Sequence, residues 1–184
     1  PDSQVVLVGC SESVIDRIND IISWKASWGK RSARLQSLAL QISYKMGCGE
    51  DCQSEIRILS RIADMGMVGI EDRLLKHRLQ LTGKDKLDYL KHIDIGRALI
   101  VSIDELSQME GLYLDIYKRY DEWKDGLALS SRIINGAIGF DDIISSNEAE
   151  PYEKVIGLLI KEKGTIYCPK VVDAIISVVN KIIL

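Results

Sequence analysis

The chain has 184 residues, 46% of them apolar and 28% charged, so it is long enough to bury a core and too apolar to be disordered. Its 24 Lys and Arg are scattered among 27 Asp and Glu, for a net charge of -3, and the lack of a basic face argues against a nucleic-acid partner. No run reaches the ~18 apolar residues of a membrane span, and Cys10, Cys48, Cys52 and Cys168 lack framework spacing, which points to free thiols and a cytoplasmic setting.

In chain order, Val5–Gly9 is a β-branched run that predicts a short strand. Ser11 or Ser13 then caps a helix with apolar positions at Val14, Ile15, Ile18, Ile21, Ile22 and Trp24, ending near Gly29. A lone strand and a connecting helix at a start on Pro1 suggest residues 1–30 as the end of an upstream domain, with 31–184 as the main unit. Further helices are predicted over Ser32–Met46 and Glu50–Asp64, each with apolar residues at helical spacing. A glycine turn at Gly66 precedes a short helix at Glu71–Leu75. Then come Lys84–His92 and Gly96–Gln108, broken at Ile93–Gly96, and Leu112–Trp123, which stops at the turn signal Lys124-Asp125-Gly126. Leu127–Ile144 is a further helix, and Pro151–Lys161 and Pro169–Ile183 open with proline, whose missing N–H costs nothing in a first turn. Gly164–Cys168 is a loop or a very short strand. Eight or nine helices and almost no sheet make the fold all-α.

The chain is organised around Ile58–Leu75, an apolar helix that presents Asp64 just before Gly66, and its continuation at Leu90–Gly96. Ala63-Asp64-Met65-Gly66-Met67, Ile70-Glu71-Asp72, Leu81-Thr82, His92–Gly96, Tyr120-Asp121-Glu122 with Asp125-Gly126, Ser131-Arg132-Ile133, Ala137–Asp141 and Pro151-Tyr152 occur in one order. Taken together, these segments resemble the HD-GYP family of the HD superfamily, the metal-dependent cyclic-di-GMP phosphodiesterases. The resemblance implies a helical domain of about eight helices, in a bacterial regulator that is often dimeric. Family members hold two or three metal ions through the histidines and aspartates of these motifs, and a bridging water attacks the phosphodiester.

The departures from the family pattern set the remaining expectations. Ala63 stands at the first-motif histidine, Met67 at the lysine after the glycine, Tyr120 and Asp121 at the paired histidines, and Ile138 at the last aspartate. Arg31 falls where some members have an upstream histidine, and the Gly-Tyr-Pro loop is absent. Asp64, His92 and Asp121 are the vestigial ligand positions. Two or three scattered ligands do not offset the dehydration of a cation pair, so no metal or other cofactor is expected and the chain is expected not to be an enzyme. Asp64 instead pairs with Arg31 or caps the next turn, and His92 is a hydrogen-bonded core histidine; His77, beside Lys76 and Arg78, is solvated surface. Two functions follow. One is a signalling or scaffolding module whose partner is another protein or a second copy. The other is a metal-free receptor for cyclic-di-GMP or another nucleotide, with Arg31, Arg119 and Arg132 as candidate ligand-binding residues. A residual single-metal phosphodiesterase at Asp64, His92 and Asp121 ranks last.

Overall fold

The computed structural model describes residues 9–146 and 151–183, and these are all-α. Helix α1 (Gly9–Ala26) is followed by α2 (Arg31–Lys45), α3 (Glu50–Ile62), α4 (Asp72–Lys76), α5 (Gly83–Leu90) and α6 (His92–Val101). Then come α7 (Glu110–Asp115), α8 (Tyr120–Trp123), α9 (Leu129–Ser146), α10 (Tyr152–Lys161) and α11 (Pro169–Ile183). Short segments of tighter 3-10 helix link them at Met65–Gly69, Asp104–Met109 and Lys124–Gly126. The strand expected at Val5–Gly9 lies outside the described residues apart from Gly9, which opens α1. The loop at Gly164–Cys168 closes on one isolated bridge between Lys163 and Tyr167.

Helical periodicity explains the main core. On α2, Leu35, Ala39 and Ile42 fall on one stripe; on α3, Ile56, Leu59 and Ile62 do the same. These meet Ile133, Ile134 and Ala137 of α9, Leu159 of α10 and Val171, Val172 and Ile175 of α11. A second cluster joins Ile22 and Ala26 of α1 with Trp28, Met67, Ile70, Leu74, Leu75 and Tyr89. Helix α1 also reaches the first cluster through Ile15, and Lys25 Nζ donates to the backbone oxygens of Val68 and Ile70, at 2.8 Å each. Trp28 follows on from α1, and α2 starts at Arg31, so the α1–α2 turn lies between the two clusters.

The helix expected to reach Gln108 ends at Val101, before the 3-10 segment Asp104–Met109, and two further boundaries differ for a tertiary reason. No break occurs at Ile93–Gly96: α6 runs continuously from His92, and Gly96 is inside it. A Cβ at Gly66 would overlap the backbone oxygen of His92, and one at Gly96 would overlap the Tyr113 hydroxyl. Both glycines let the 3-10 turn after α3 lie against α6, which is a packing requirement and not a turn requirement. The single helix expected over Leu112–Trp123 is split into α7 and α8, because the amides of Tyr120 and Asp121 leave the helical ladder to donate to the oxygens of Ile166 and Thr165. No helix among the described residues is long and apolar enough to cross a membrane.

Candidate functional site

At the junction of the two clusters lies a buried ionic centre. Arg31, 2% exposed, is the first residue of α2. Its Nε donates to Asp64 Oδ2 at 2.8 Å, and its Nη1 to Asp141 Oδ2 and Asp142 Oδ1, each at 2.6 Å. The same two α9 carboxylates bind two more arginines. Arg78 Nη2 donates to Asp142 Oδ1 at 2.7 Å, and Arg34 Nε to Asp141 Oδ1 at 2.9 Å. The guanidiniums of Arg31 and Arg78 both lie over the Trp28 ring, 4.6 and 4.5 Å from its centroid. Three cations thus meet three carboxylates, and this pairing offsets the burial of every member but Arg34, whose side chain is 45% exposed. Burial works against the Arg31 charge, but the carboxylates, Asp64 foremost, outweigh it and hold its pKa up. Burial would raise the Asp142 carboxyl; Arg31 and Arg78 outweigh it and hold it below the usual range.

Beside this centre is a ring cluster. Asp64 ends the apolar stretch of α3, and His92 begins α6; both are buried, at 5% and 3% exposure. His92 Nδ1 lies 2.7 Å from the Tyr89 carbonyl, which only accepts, so Nδ1 carries the proton. Burial lowers the His92 pKa, and its ring is neutral, leaving Nε2 as an acceptor. The His92 ring packs on Tyr89 and edge-on against Tyr117, which in turn meets Tyr113. The Tyr117 hydroxyl donates to the Ala63 carbonyl, and burial pushes its pKa well up. Three buried polar atoms here have no hydrogen-bond partner among the described residues: Arg31 Nη2, Asp64 Oδ1 and His92 Nε2.

The other residues singled out from the sequence lie elsewhere or act differently. Asp121 is exposed; Arg119 holds it through Nη2 at 2.7 Å and keeps its pKa low. Arg119 is exposed as well. Arg132 is half-buried on α9, with Nη1 3.8 Å from Cys168 Sγ. Arg31, Arg119 and Arg132 therefore have separate partners. Ala63 and Met67 are buried in the core and Ile138 packs against it. Among the described residues no group of three His, Cys, Asp or Glu is arranged to hold a metal ion. Asp64 faces a guanidinium and Asp121 another, so these positions as arranged do not fit a shared pair of metal ions. Arg78 is a correction: its place in a charged run suggested surface, yet it is 5% exposed because Asp142 draws it in. Sequence reasoning missed Trp28, Arg34, Arg78 and Asp142 as members of the centre. Nothing in a linear pattern joins Arg31 to Asp142, 111 residues away.

Comparison with known proteins gives one informative likeness. No family model matches the chain. Over 165 residues it is 27% identical to a cyclic di-GMP phosphodiesterase of Thermotoga maritima, covering 83% of this chain and 45% of that relative. The chain thus spans less than half the length of the curated relative it matches. The expectation that the chain is not an enzyme is overturned by this likeness, because the relative is an enzyme by name and points to an enzyme family; substituted ligand positions alone do not establish lost activity. The chain is distantly related to a cyclic di-GMP phosphodiesterase, which supports the HD-GYP-like resemblance read from its motifs.

Proposed function

We propose that this is a cyclic-di-GMP signalling domain that binds the cyclic dinucleotide, with arginine supplying positive charge at its centre. The observation that carries this reading is Arg31. Its guanidinium, at the position of an upstream family histidine, lies among Asp64, which keeps a family ligand position, and Asp141 and Asp142, and its Nη2 has no hydrogen-bond partner among the described residues. Guanidinium matches phosphate in charge and donor geometry. In this reading buried Arg31 holds Asp141 and Asp142 in place, and the dinucleotide meets Arg34 and Arg78, the cations that those carboxylates fix.

A second reading concerns how the domain passes on its state. Val14, Ile21 and Trp24 of α1 are 42%, 47% and 81% exposed, and their spacing puts them on one side of the helix. Such a stripe suits a partner protein or a second copy.

Calorimetric titration of cyclic-di-GMP, with and without added manganese, tests the first reading. Saturable heat without metal is expected, and chromatography of the same samples reads any cleavage. No heat under either condition overturns it. Sedimentation of the protein and of its Trp24→Glu variant tests the second: a dimer that the substitution dissolves supports self-association, and a monomer at high concentration removes it.

A further inference from the structure

Behind the ionic centre opens a cavity of about 850 Å³, between the α1–α2 turn, α2, the segment after α4, the end of α9 and α11. Its size suits a small-molecule site, as does its lining of apolar wall with a few polar groups. Arg34, Lys76 and Arg78 face it, and Asp141 is the one carboxylate among the described lining residues. Two of these cations are fixed in advance: Arg78 by Asp142, and Arg34 by Asp141 and by the Trp28 carbonyl, to which Nη1 donates at 2.7 Å. Lys76 is exposed and has no ion pair among the described residues. Leu38, Phe140 and Ile144 add apolar lining, and Gln41 an amide.

We propose that this cavity is a nucleotide-binding site, in which Arg34 and Lys76 meet phosphate and a base lies against Leu38, Phe140 and Ile144. The proposal deepens the reading above and rests on it for the choice of nucleotide. With the carboxylates that fix them, Arg31, Arg34 and Arg78 are balanced by Asp64, Asp141 and Asp142, so among the described residues Lys76 supplies an excess of one positive charge at the cavity. A cyclic dinucleotide has two phosphodiesters, each with one negative charge. Anchored guanidiniums also lose little freedom on binding, since their carboxylates already hold them. Arg31 contributes indirectly: it binds Asp141 and Asp142, the carboxylates that in turn fix Arg34 and Arg78.

The test uses the whole chain. Trp24 and Trp123 are exposed, so Trp24→Phe/Trp123→Phe leaves Trp28, on the cavity wall, as the single fluorescent reporter. Cyclic-di-GMP is titrated into this protein and into versions with Lys76→Glu, Arg34→Gln or Arg119→Ala. Lys76→Glu removes no contact within the fold, so its melting temperature reports that it is folded. Expected are a saturable change in Trp28 emission, affinity about tenfold or more weaker with Lys76→Glu and with Arg34→Gln, and no change with Arg119→Ala. Cyclic-di-GMP binding that ignores both cavity substitutions overturns the cavity and leaves the functional reading standing. If cyclic-di-GMP does not bind, the functional reading falls and GMP becomes the probe. A Trp28 response to GMP that Lys76→Glu abolishes retains the cavity as a nucleotide site, and no response overturns it.

Discussion

Replacing Arg31 by Met keeps most of the side-chain volume and removes the charge, so it isolates what the guanidinium contributes. In the native protein Arg31 is paired at 2.6–2.8 Å with three carboxylates. Asp141 and Asp142 retain Arg34 and Arg78 in the variant, but Asp64 has no other ion-pair partner among the described residues. Stranding a buried charge costs about 3–5 kcal/mol. That is a large part of the ~5–15 kcal/mol that a domain has, and at about 2–4 °C per kcal/mol it lowers the melting temperature by roughly 6–20 °C. The deficit carries a pH signature. An unpaired buried carboxylate has its folded pKa raised above its unfolded value, so the folded variant takes up a proton sooner than the unfolded chain, and its deficit shrinks as the pH falls from 7 toward the carboxylate range. Adding Asp64→Asn removes the stranded charge and restores part of the loss at pH 7. Thermal melts by circular dichroism at pH 7 and 5, on the native protein and both variants, measure all of this. A fall of less than about 3 °C, or a deficit independent of pH, refutes the claim that Arg31 neutralises this centre.

Three further outcomes follow from the packing. The folded pKa of His92 is depressed by burial, so its stability contribution is complete above the unfolded value near 6.5 and declines as the pH falls below it; urea melts of the native protein weaken from pH 7 to 5, and His92→Gln flattens that window. Gly66→Ala forces its Cβ against the His92 carbonyl and costs about 1–3 kcal/mol or more, whereas Gly157→Ala, inside α10 with nothing within 4 Å, stabilises by about 0.5–1 kcal/mol in the same melts. Burial and its neighbour Cys48 push the Cys52 thiol up to about 12, so at pH 8 it is almost wholly thiol, and iodoacetamide labels it far more slowly than a thiol with an ordinary pKa, as mass spectrometry of labelled peptides reads.

Most helices were legible because amphipathic spacing is local. Leu35, Ala39 and Ile42, or Ile56, Leu59 and Ile62, identify a buried face without knowledge of what covers it, and the proline starts of the last two helices need only the first-turn geometry. Asp64 was also legible as an acid at the end of an apolar helix, and pairing with Arg31 was one of its two expected fates; that ion pair is present. Gly96 was misread as a break because a glycine looks the same in sequence whether it bends the chain or admits a neighbour. Here Tyr113 and Gly66 lie against it, and only the packing tells the two roles apart. Arg78 reads as surface beside Lys76 until Asp142, 64 residues on, draws it inward.

What the sequence determined by itself was therefore most of the helices, the all-α class and the family resemblance, since these depend on the order and periodicity of residues along one chain. Tertiary structure alone decided that Arg31, Arg34 and Arg78 share three aspartates around Trp28, that burial lowers the His92 pKa and leaves Nε2 without a partner among the described residues, and that a cavity lined by Arg34, Lys76 and Arg78 opens behind them. Charges find their partners across space, through the desolvation that burial imposes, and distance along the chain sets no limit on which carboxylate a guanidinium meets.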